Sequence, residues 1–273
     1  MGKFDGILIC TDLDGTLYKN DKTISTENRE AIEYFKREGG AFTFITGRLP
    51  YYSQDAYAAA RPNVPFGCIN GGGVYDGESG RYIWTRELPR KALTLVEAID
   101  RAFHGVGIQL CGFDKTYFAK ENETTVRFRE ITGLPKLSCD YRTFDEPMAK
   151  IIFCTDVEEE LLRVEATLRE RALASDFDFI RSERSLFEIL PKGVHKGLAL
   201  EKLAEHLGID VRHTVALGDY DNDSAMLRRA GWGIAVANAS RSAKEAARCV
   251  TVSNEEHAVA KTVEEIENGT IVF

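Results

Sequence analysis

The chain has 273 residues, with 44% hydrophobic and 29% charged side chains and a formal net charge of −8 at pH 7. This length accommodates one large domain or two modest ones, and the composition is ordinary for a soluble globular protein. The negative charge provides no basic field for a nucleic acid backbone, and no apolar run is long enough to span a membrane. The residues before the first apolar run show no secretory signal, so we expect a cytoplasmic protein without nucleic acid or membrane partners.

The six cysteines show no paired spacing, and most of them lie in apolar runs. Such cysteines indicate reduced thiols packed in a core, and they argue against a disulfide framework or a zinc site. They are Cys10, Cys68, Cys111, Cys139, Cys154 and Cys249.

The first apolar run, residues 7–10, predicts a strand buried on both faces of a parallel sheet. It leads into Asp12 and Asp14, two acids one residue apart, which are followed by Gly15 and Thr16. Acids this close raise the cost of ionising each other, and a Mg2+ ion with its preference for oxygen ligands relieves that cost. A carboxylate at a strand end can also act as a nucleophile. By itself, the motif fits a polar Asp-Gly turn equally well.

The next elements continue an alternation of helices and strands. Residues 26–38 predict a helix that ends at two glycines, and residues 41–45 predict a buried strand that ends in Thr46-Gly47-Arg48. Pro50 then predicts the start of another helix. A third strand is predicted at 66–70, with Asn70 at its end. This pattern is typical of a doubly wound sheet, whose ligands bind at the carboxyl ends of the strands.

The middle of the chain changes character. A hairpin is predicted around residues 75–80, and after Pro89 helices mix with widely spaced strands, which favours an inserted α+β module. We therefore predict a core domain of residues 1–84 and 191–273, interrupted by an insert of residues 85–190. The predicted helices of the insert are 92–103, 123–131 and 157–171, and its predicted strands are 108–110, 116–118, 150–153, 177–181 and 186–190.

The alternation resumes at His195-Lys196-Gly197, where a helix is predicted to run to Leu207. The next strand leads into an acidic cluster, Asp219-Tyr220-Asp221-Asn222-Asp223. This cluster differs from a calcium-binding EF-hand loop, because its sixth and twelfth positions are serine and alanine. The remaining predictions are strands at 214–217 and 233–236, helices at 224–229, 240–248 and 255–267, and an edge strand at 270–273.

These motifs resemble, in order, the landmarks of the haloacid dehalogenase superfamily of phosphotransferases: Asp12-Leu13-Asp14-Gly15-Thr16, Thr46-Gly47-Arg48, Lys196-Gly197 and Gly218 to Asp223. The long insert between the second and third landmarks is similar to the Cof-type subfamily of small-metabolite phosphatases. The resemblance implies an α/β fold, with a doubly wound, Rossmann-like parallel-sheet core and an inserted C2-type α+β cap.

The resemblance also implies a role for each acid. Asp12 would attack phosphorus and form an aspartyl-phosphate, and Asp14 would serve as the general acid and base. Mg2+ would be held by Asp12, the backbone carbonyl of Asp14, and Asp219. Asp223 would support Lys196 or the waters on the metal ion. Cation-pumping ATPases resemble this loop but lack an acid at the position of Asp14, which favours hydrolysis or transfer over energy coupling.

The remaining site residues would bind phosphate or support the loops. Thr46 and Lys196 would clamp the phosphoryl oxygens, one with a hydroxyl and the other with a charge. Asn222, Gly47 and Arg48 are further candidates for phosphate contacts, Thr16 for capping its loop, and Asn70 for a contact with the ligand. Lys150 and Lys192 are candidate cationic contacts within or beside the insert.

We therefore predict a Mg2+-dependent phosphatase that acts on a small phosphorylated metabolite, either a sugar phosphate or a phosphorylated cofactor. Two alternatives stay open at this point: a phosphomutase of the phosphomannomutase type, and a sensor that binds a phosphorylated ligand without turnover. The sequence does not specify the oligomeric state, and it shows no motif in the insert that names the substrate.

Overall fold

The computed structural model describes residues 2–171 and 176–273. The chain divides into two compact units. The core unit comprises Met1–Arg48, Ser53–Thr85 and His195–Phe273, and the insert unit comprises Leu49–Tyr52 and Arg86–Val194.

The strands and helices are numbered in chain order. The strands are β1 (Leu8–Thr11), β2 (Ala41–Phe44), β3 (Phe66–Cys68), β4 (Gly73–Asp76), β5 (Arg81–Thr85), β6 (Gly107–Cys111), β7 (Thr116–Lys120), β8 (Lys150–Cys154), β9 (Phe177–Glu183), β10 (Leu186–Pro191), β11 (Thr214–Gly218), β12 (Trp232–Ala235) and β13 (Cys249–Val250). The α-helices are α1 (Thr26–Arg37), α2 (Gln54–Ala60), α3 (Leu93–Ala102), α4 (Glu123–Thr132), α5 (Glu158–Arg171), α6 (Lys196–Leu207), α7 (Ser224–Arg229), α8 (Arg241–Ala246) and α9 (Ala258–Glu267).

The core unit is built on a parallel sheet with the strand order β13-β12-β11-β1-β2. β1 lies between two partners, with Leu8 opposite both Thr214 of β11 and Ala41 of β2. All four residues of β1 are buried, which is why the strand reads as a continuous apolar run. Because these strands are parallel, their carboxyl ends lie at the same edge of the sheet.

The predicted third strand is only partly correct. β3 ends at Cys68 and pairs antiparallel with β4, and it touches the parallel sheet through a single bridge between Ile45 and Gly67. The strand ends there because Ile69 and Asn70 adopt positive φ angles, which cannot continue an extended ladder. Residues 69–71 form a 3₁₀ turn instead of the predicted end of a strand.

The insert unit contains an antiparallel sheet with the order β7-β6-β8-β10-β9. Apolar side chains of this sheet, such as Ile151 and Phe187, pack with Val96 of α3 and Leu161 of α5 in one hydrophobic core. The fold class is therefore confirmed: a doubly wound parallel core carries an inserted α+β unit.

The predicted edge strand at 270–273 is wrong. The N–H of Ile271 donates to the carbonyl of Glu265, and the carbonyl of Val272 accepts from the indole of Trp232, so this segment is tied to α9 and to a side chain instead of a strand. The edge strand on this side of the parallel sheet is instead β13, which begins three residues after α8 ends at Ala246.

All six cysteines are free thiols, as predicted. In the part of the chain that the structure describes, no helix combines the length and the apolar character needed to cross a membrane.

Candidate active site

The acidic motifs follow two neighbouring strands of the core sheet. Asp12 comes directly after β1, and its N–H donates to the carbonyl of Leu217 in β11 (2.9 Å), so the ladder extends as far as this residue. Asp219 comes directly after β11. The parallel register therefore brings together two carboxylates that lie more than two hundred positions apart in the sequence.

Lys196 lies at the centre of the cluster. Its Nζ is 2.6 Å from Oδ1 of Asp12 and 2.6 Å from Oδ1 of Asp223, and its side chain is only 1% exposed. Burial lowers the pKa of Lys196, but the attraction of Asp12 and Asp223 outweighs this and raises the pKa above its usual value. The lysine is therefore a fixed, desolvated positive charge at the first turn of α6.

Asp223 organises the acidic loop as well as the lysine. Its Oδ2 accepts from the N–H groups of Asp219 (2.9 Å) and Tyr220 (3.0 Å), while Oδ1 binds Lys196. The structure thus places Asp223 beside Lys196, where the sequence predicted a supporting role.

Three carboxylates lie close enough to share a cation. One oxygen each of Asp12, Asp219 and Asp223 fall within 4.8 Å of one another. Burial and the neighbouring carboxylates raise the pKa of Asp12 well above its usual range, and burial followed by the charge of Asp223 raises the pKa of Asp219 to about 6. A cluster of hard oxygen donors that resists ionisation in this way fits a divalent cation such as Mg2+.

The hydroxyl of Thr16 and the backbone of Gly15 contact the same cluster. Thr16 Oγ1 donates to Oδ1 of Asp219 (2.8 Å). Gly15 has a φ of +83°, and a Cβ there would lie 2.5 Å from Oδ2 of Asp219, so both the conformation and the close approach require glycine. Thr16 therefore orients Asp219 directly, which its predicted role of capping the loop did not include.

Asp14 contacts two cationic side chains other than Lys196. Its Oδ2 is 2.6 Å from a guanidinium nitrogen of Arg48, and its Oδ1 is 2.9 Å from Nζ of Lys22. Burial raises the pKa of Asp14, but Arg48 and Lys22 outweigh it, so the pKa is lowered. The sequence analysis missed Lys22, because a lone lysine in a polar loop carries no distinguishing signal.

Several residues predicted to bind phosphate lie near the side chain of Asn70. Thr46 follows β2, and its hydroxyl accepts from the N–H of Arg48 (3.2 Å). Asn222 donates through Nδ2 to Oδ1 of Asn70 (3.1 Å). A Cβ on Gly47 would lie 2.9 Å from the same Asn70 oxygen, so Asn70 packs directly against the loop after β2.

Two asparagines that the sequence analysis did not single out support the loop after β1. Asn238 donates through Nδ2 to the carbonyl of Gly15 (2.8 Å), and its Oδ1 accepts from the N–H of Asn254 (3.0 Å). Asn254 in turn donates to the carbonyl of Tyr18. No motif spacing points to these residues, because their partners lie far away in the sequence.

The two lysines proposed as additional cationic contacts belong to the insert unit. Lys150 is buried and pairs with Glu188 (2.9 Å). Lys192 is exposed and pairs with Asp178 (2.8 Å). Each of them therefore has a carboxylate partner within its own unit.

A family model, curated relatives and solved structures all match this chain, and their descriptions agree with one another. The sequence model of the haloacid dehalogenase-like hydrolase family matches residues 9–263. The chain is 29% identical to the 5-amino-6-(5-phospho-D-ribitylamino)uracil phosphatase YitU of Bacillus subtilis, over 94% of this chain and 96% of that protein. It is 30% identical to an HMP-PP phosphatase of Yersinia pseudotuberculosis, over 85% and 84%. Among solved structures, a haloacid dehalogenase-like hydrolase from Bacteroides thetaiotaomicron superposes with a TM-score of 0.82 at 27% identity, covering 95% of this chain and 99% of the other.

Proposed function

Because this chain belongs to the haloacid dehalogenase-like hydrolases, we propose that it is a Mg2+-dependent phosphatase of small phosphorylated metabolites, which works through an aspartyl-phosphate on Asp12. The observation that carries the proposal is the contact of the buried Lys196 with Asp12 and Asp223 beside Asp219. Such a cluster combines a nucleophile, a fixed cation and carboxylates that can hold a metal ion.

In the first step, a carboxylate oxygen of Asp12 forms a bond to phosphorus as the bond from phosphorus to the ester oxygen breaks. Asp14 gives a proton to the leaving oxygen. In the second step, a water molecule attacks the phosphorus of the aspartyl-phosphate, Asp14 takes a proton from that water, and inorganic phosphate leaves. Asp12 is regenerated as a carboxylate.

Arg48 links substrate arrival to the protonation of Asp14. In the structure, Arg48 and Lys22 hold Asp14 as a carboxylate and keep its pKa low. A phosphate dianion attracts the same guanidinium, and its negative charge disfavours a second one on Asp14. Substrate binding therefore raises the pKa of Asp14, which prepares it to act as the acid.

The donor set defines where a metal ion would bind. Asp12, Asp219 and the backbone carbonyl of Asp14 would hold Mg2+, which when bound offsets the negative charge of the phosphoryl group and the carboxylates. Asp223 is already engaged by Lys196 and two backbone N–H groups, so its role is to keep the loop and the lysine in place.

The phosphoryl oxygens would be bound by the hydroxyl of Thr46, the backbone of Gly47, the guanidinium of Arg48, the ammonium of Lys196 and the amide of Asn222. Lys196 would contribute most, because a charge buried beside the nucleophile acts at low dielectric. The insert unit would serve as a cap that selects the substrate and excludes water.

The names of two relatives support the substrate class that we propose. YitU is named for a phosphorylated ribitylaminouracil, and the Yersinia protein is named for HMP-PP. We therefore place the substrate among phosphorylated sugars and phosphorylated cofactors or their precursors.

Phosphate release from a panel of small phosphate esters tests the proposal. We expect release that requires Mg2+, stops with EDTA and disappears in Asp12→Asn. The matched control is Asp76→Asn in the core unit, where the carboxylate caps a turn by accepting from the N–H of Glu78 and the hydroxyl of Ser79, and we expect this variant to retain activity. A folded protein that releases no phosphate from any ester refutes the phosphatase. Movement of phosphate within a sugar without net release favours the mutase, and binding without either reaction favours the sensor.

A further inference from the structure

Three consecutive residues in the turn after β3 adopt left-handed backbone. The φ angles are +57° for Ile69, +51° for Asn70 and +101° for Gly71, and all three residues are buried. A β-branched residue such as isoleucine disfavours this region strongly, and asparagine tolerates it only as a single residue. The surrounding structure must therefore hold the turn in this conformation.

The backbone of the turn is bonded to the loop that follows β2. The N–H of Ile69 donates to the carbonyl of Arg48 (3.0 Å), and the N–H of Asn70 donates to the carbonyl of Thr46 (3.1 Å). These two bonds fix the position of a loop that carries three of the proposed phosphate contacts.

The same turn packs against the start of α6. A Cβ on Gly71 would lie 2.0 Å from the carbonyl oxygen of His195 and 3.0 Å from the nitrogen of Lys196. Only glycine permits this approach, so the turn reaches the backbone that carries the central lysine.

The side chain of Asn70 connects the turn to a third segment, the acidic loop that contains Asn222. It is fully buried, and its Oδ1 accepts from Nδ2 of Asn222 (3.1 Å). An amide oxygen can only accept, so the nitrogen of the Asn222 amide must face Asn70. This contact uses one of its two N–H groups, fixes which way the amide is turned, and leaves the second N–H to donate to an anion. A donor with a fixed orientation binds an anion better than one that rotates freely.

We propose that Asn70 is a positioning residue for phosphate, which orients Asn222 and anchors the loop of Thr46 to Arg48 without requiring contact with the substrate. The strained turn holds the carboxamide of Asn70 against Gly47 and Asn222, and Gly71 of the same turn lies against the start of α6. This inference rests on the proposed function, since it concerns the same site.

The test is a double-variant cycle with inorganic phosphate as the probe. Affinity is measured calorimetrically in the presence of Mg2+ for the wild-type protein, Asn70→Gly, Asn222→Ala and the double variant. Glycine adopts left-handed backbone freely, so Asn70→Gly keeps the turn and removes only the carboxamide. Thermal midpoints verify that each variant is folded.

We expect Asn70→Gly to weaken phosphate binding about tenfold, with a similar loss in kcat/KM for the best ester. Because Asn70 acts largely through Asn222, the double variant should be hardly weaker than Asn222→Ala alone. Asn63→Ala is the matched control. This asparagine also bonds the backbone, at Phe42 and Gly40, so its loss should lower the thermal midpoint and leave phosphate affinity unchanged.

The outcomes separate the two proposals. Losses that multiply in the double variant, or unchanged affinity in Asn70→Gly, overturn the role of Asn70 even if the protein hydrolyses esters. Phosphate binding without hydrolysis refutes the phosphatase, and the cycle still decides the role of Asn70. A wild-type protein that binds no phosphate overturns the positioning role as well.

Discussion

The two units each bury a lysine, and the two lysines have different surroundings. Lys196 in the core unit contacts Asp12 and Asp223, and Asp219 lies beside them, so negative charge exceeds positive charge within this cluster. Lys150 in the insert unit contacts Glu188, and the hydroxyl of Ser182 donates to the same carboxylate.

The difference shows that burial of a charge does not identify a functional site. A buried lysine and a buried glutamate in direct contact compensate part of each other's desolvation. A cluster with surplus carboxylates raises the pKa of its members, as at Asp12 and Asp219, and is relieved by a further cation. The surplus of charge, together with the strand ends, therefore distinguishes the candidate site from the Lys150–Glu188 pair.

The largest expected effect comes from removing the lysine of the unbalanced cluster. Lys196→Met should lower kcat/KM about a thousandfold, because a preorganised positive charge beside the phosphoryl group is lost. The control is Lys202→Met on the same helix, which breaks only a surface pair with Glu205 and should leave kcat/KM unchanged. Activity near that of the wild-type protein in Lys196→Met would contradict a direct role of this lysine.

Loss of the Lys150–Glu188 pair should lower the stability of the protein. Lys150→Met removes the positive charge beside the buried Glu188, and we expect the free energy of unfolding to fall by about 3 kcal/mol. Adding Glu188→Leu should restore most of that loss, because an apolar pair of similar volume needs no compensation. Urea unfolding of the single and double variants measures both values. If the double variant is no more stable than Lys150→Met, the loss in the single variant does not come from the uncompensated charge of Glu188.

The surplus charge should also appear as a pH dependence of the metal-free protein. The folded pKa of Asp219 is about 6 against an ordinary value of 3.8, so the folded state binds this proton more tightly than the unfolded state. Its contribution to stability is therefore full below pH 3.8 and is lost as the pH rises through 6. Relative to Asp219→Asn, the wild-type protein should lose at most about 3 kcal/mol over this range.

Unfolding in EDTA at several pH values measures this difference, and the same series with Mg2+ provides the control. Bound Mg2+ should restore the stability of the wild-type protein at neutral pH and have less effect on Asp219→Asn. Parallel pH curves for the two proteins in EDTA would show that Asp219 carries no raised pKa.

The smallest effect is expected at the solvent-exposed pair. The side chain of Lys22 is 67% exposed, and exposed ion pairs contribute little. Lys22→Met should therefore change kcat/KM less than about fivefold, whereas Arg48→Met should cost more, because Arg48 binds both Asp14 and the proposed substrate. Steady-state kinetics on the best ester of the panel compares the two. A loss in Lys22→Met as large as that in Arg48→Met would assign Lys22 to the binding of substrate.

Much of the fold and the family could be predicted from local sequence. Continuous apolar runs identified the parallel strands, and glycines and capping residues marked helix ends such as Gly208, whose φ is +67°. The errors arose where neighbours decide the conformation. Residues 270–273 are apolar enough for a strand, but their hydrogen bonds go to Trp232 and Glu265, and the two residues of β13 are too few to give a periodic signal.

What the sequence by itself determined is therefore the type of chemistry: acids at the ends of buried strands, a lysine at the start of a helix, and a family with a hydrolase fold. The tertiary structure decided which charged side chains form ion pairs with each other. Lys196 at the start of α6 and Asp12 at the end of β1 are 184 positions apart, and the packing of this helix within the core unit brings them together. Tertiary packing likewise pairs Asp14 with Arg48 and Lys22, and Lys150 with Glu188. Spacing in a sequence cannot specify such pairs, because they form between segments whose separation is fixed only when the sheet assembles.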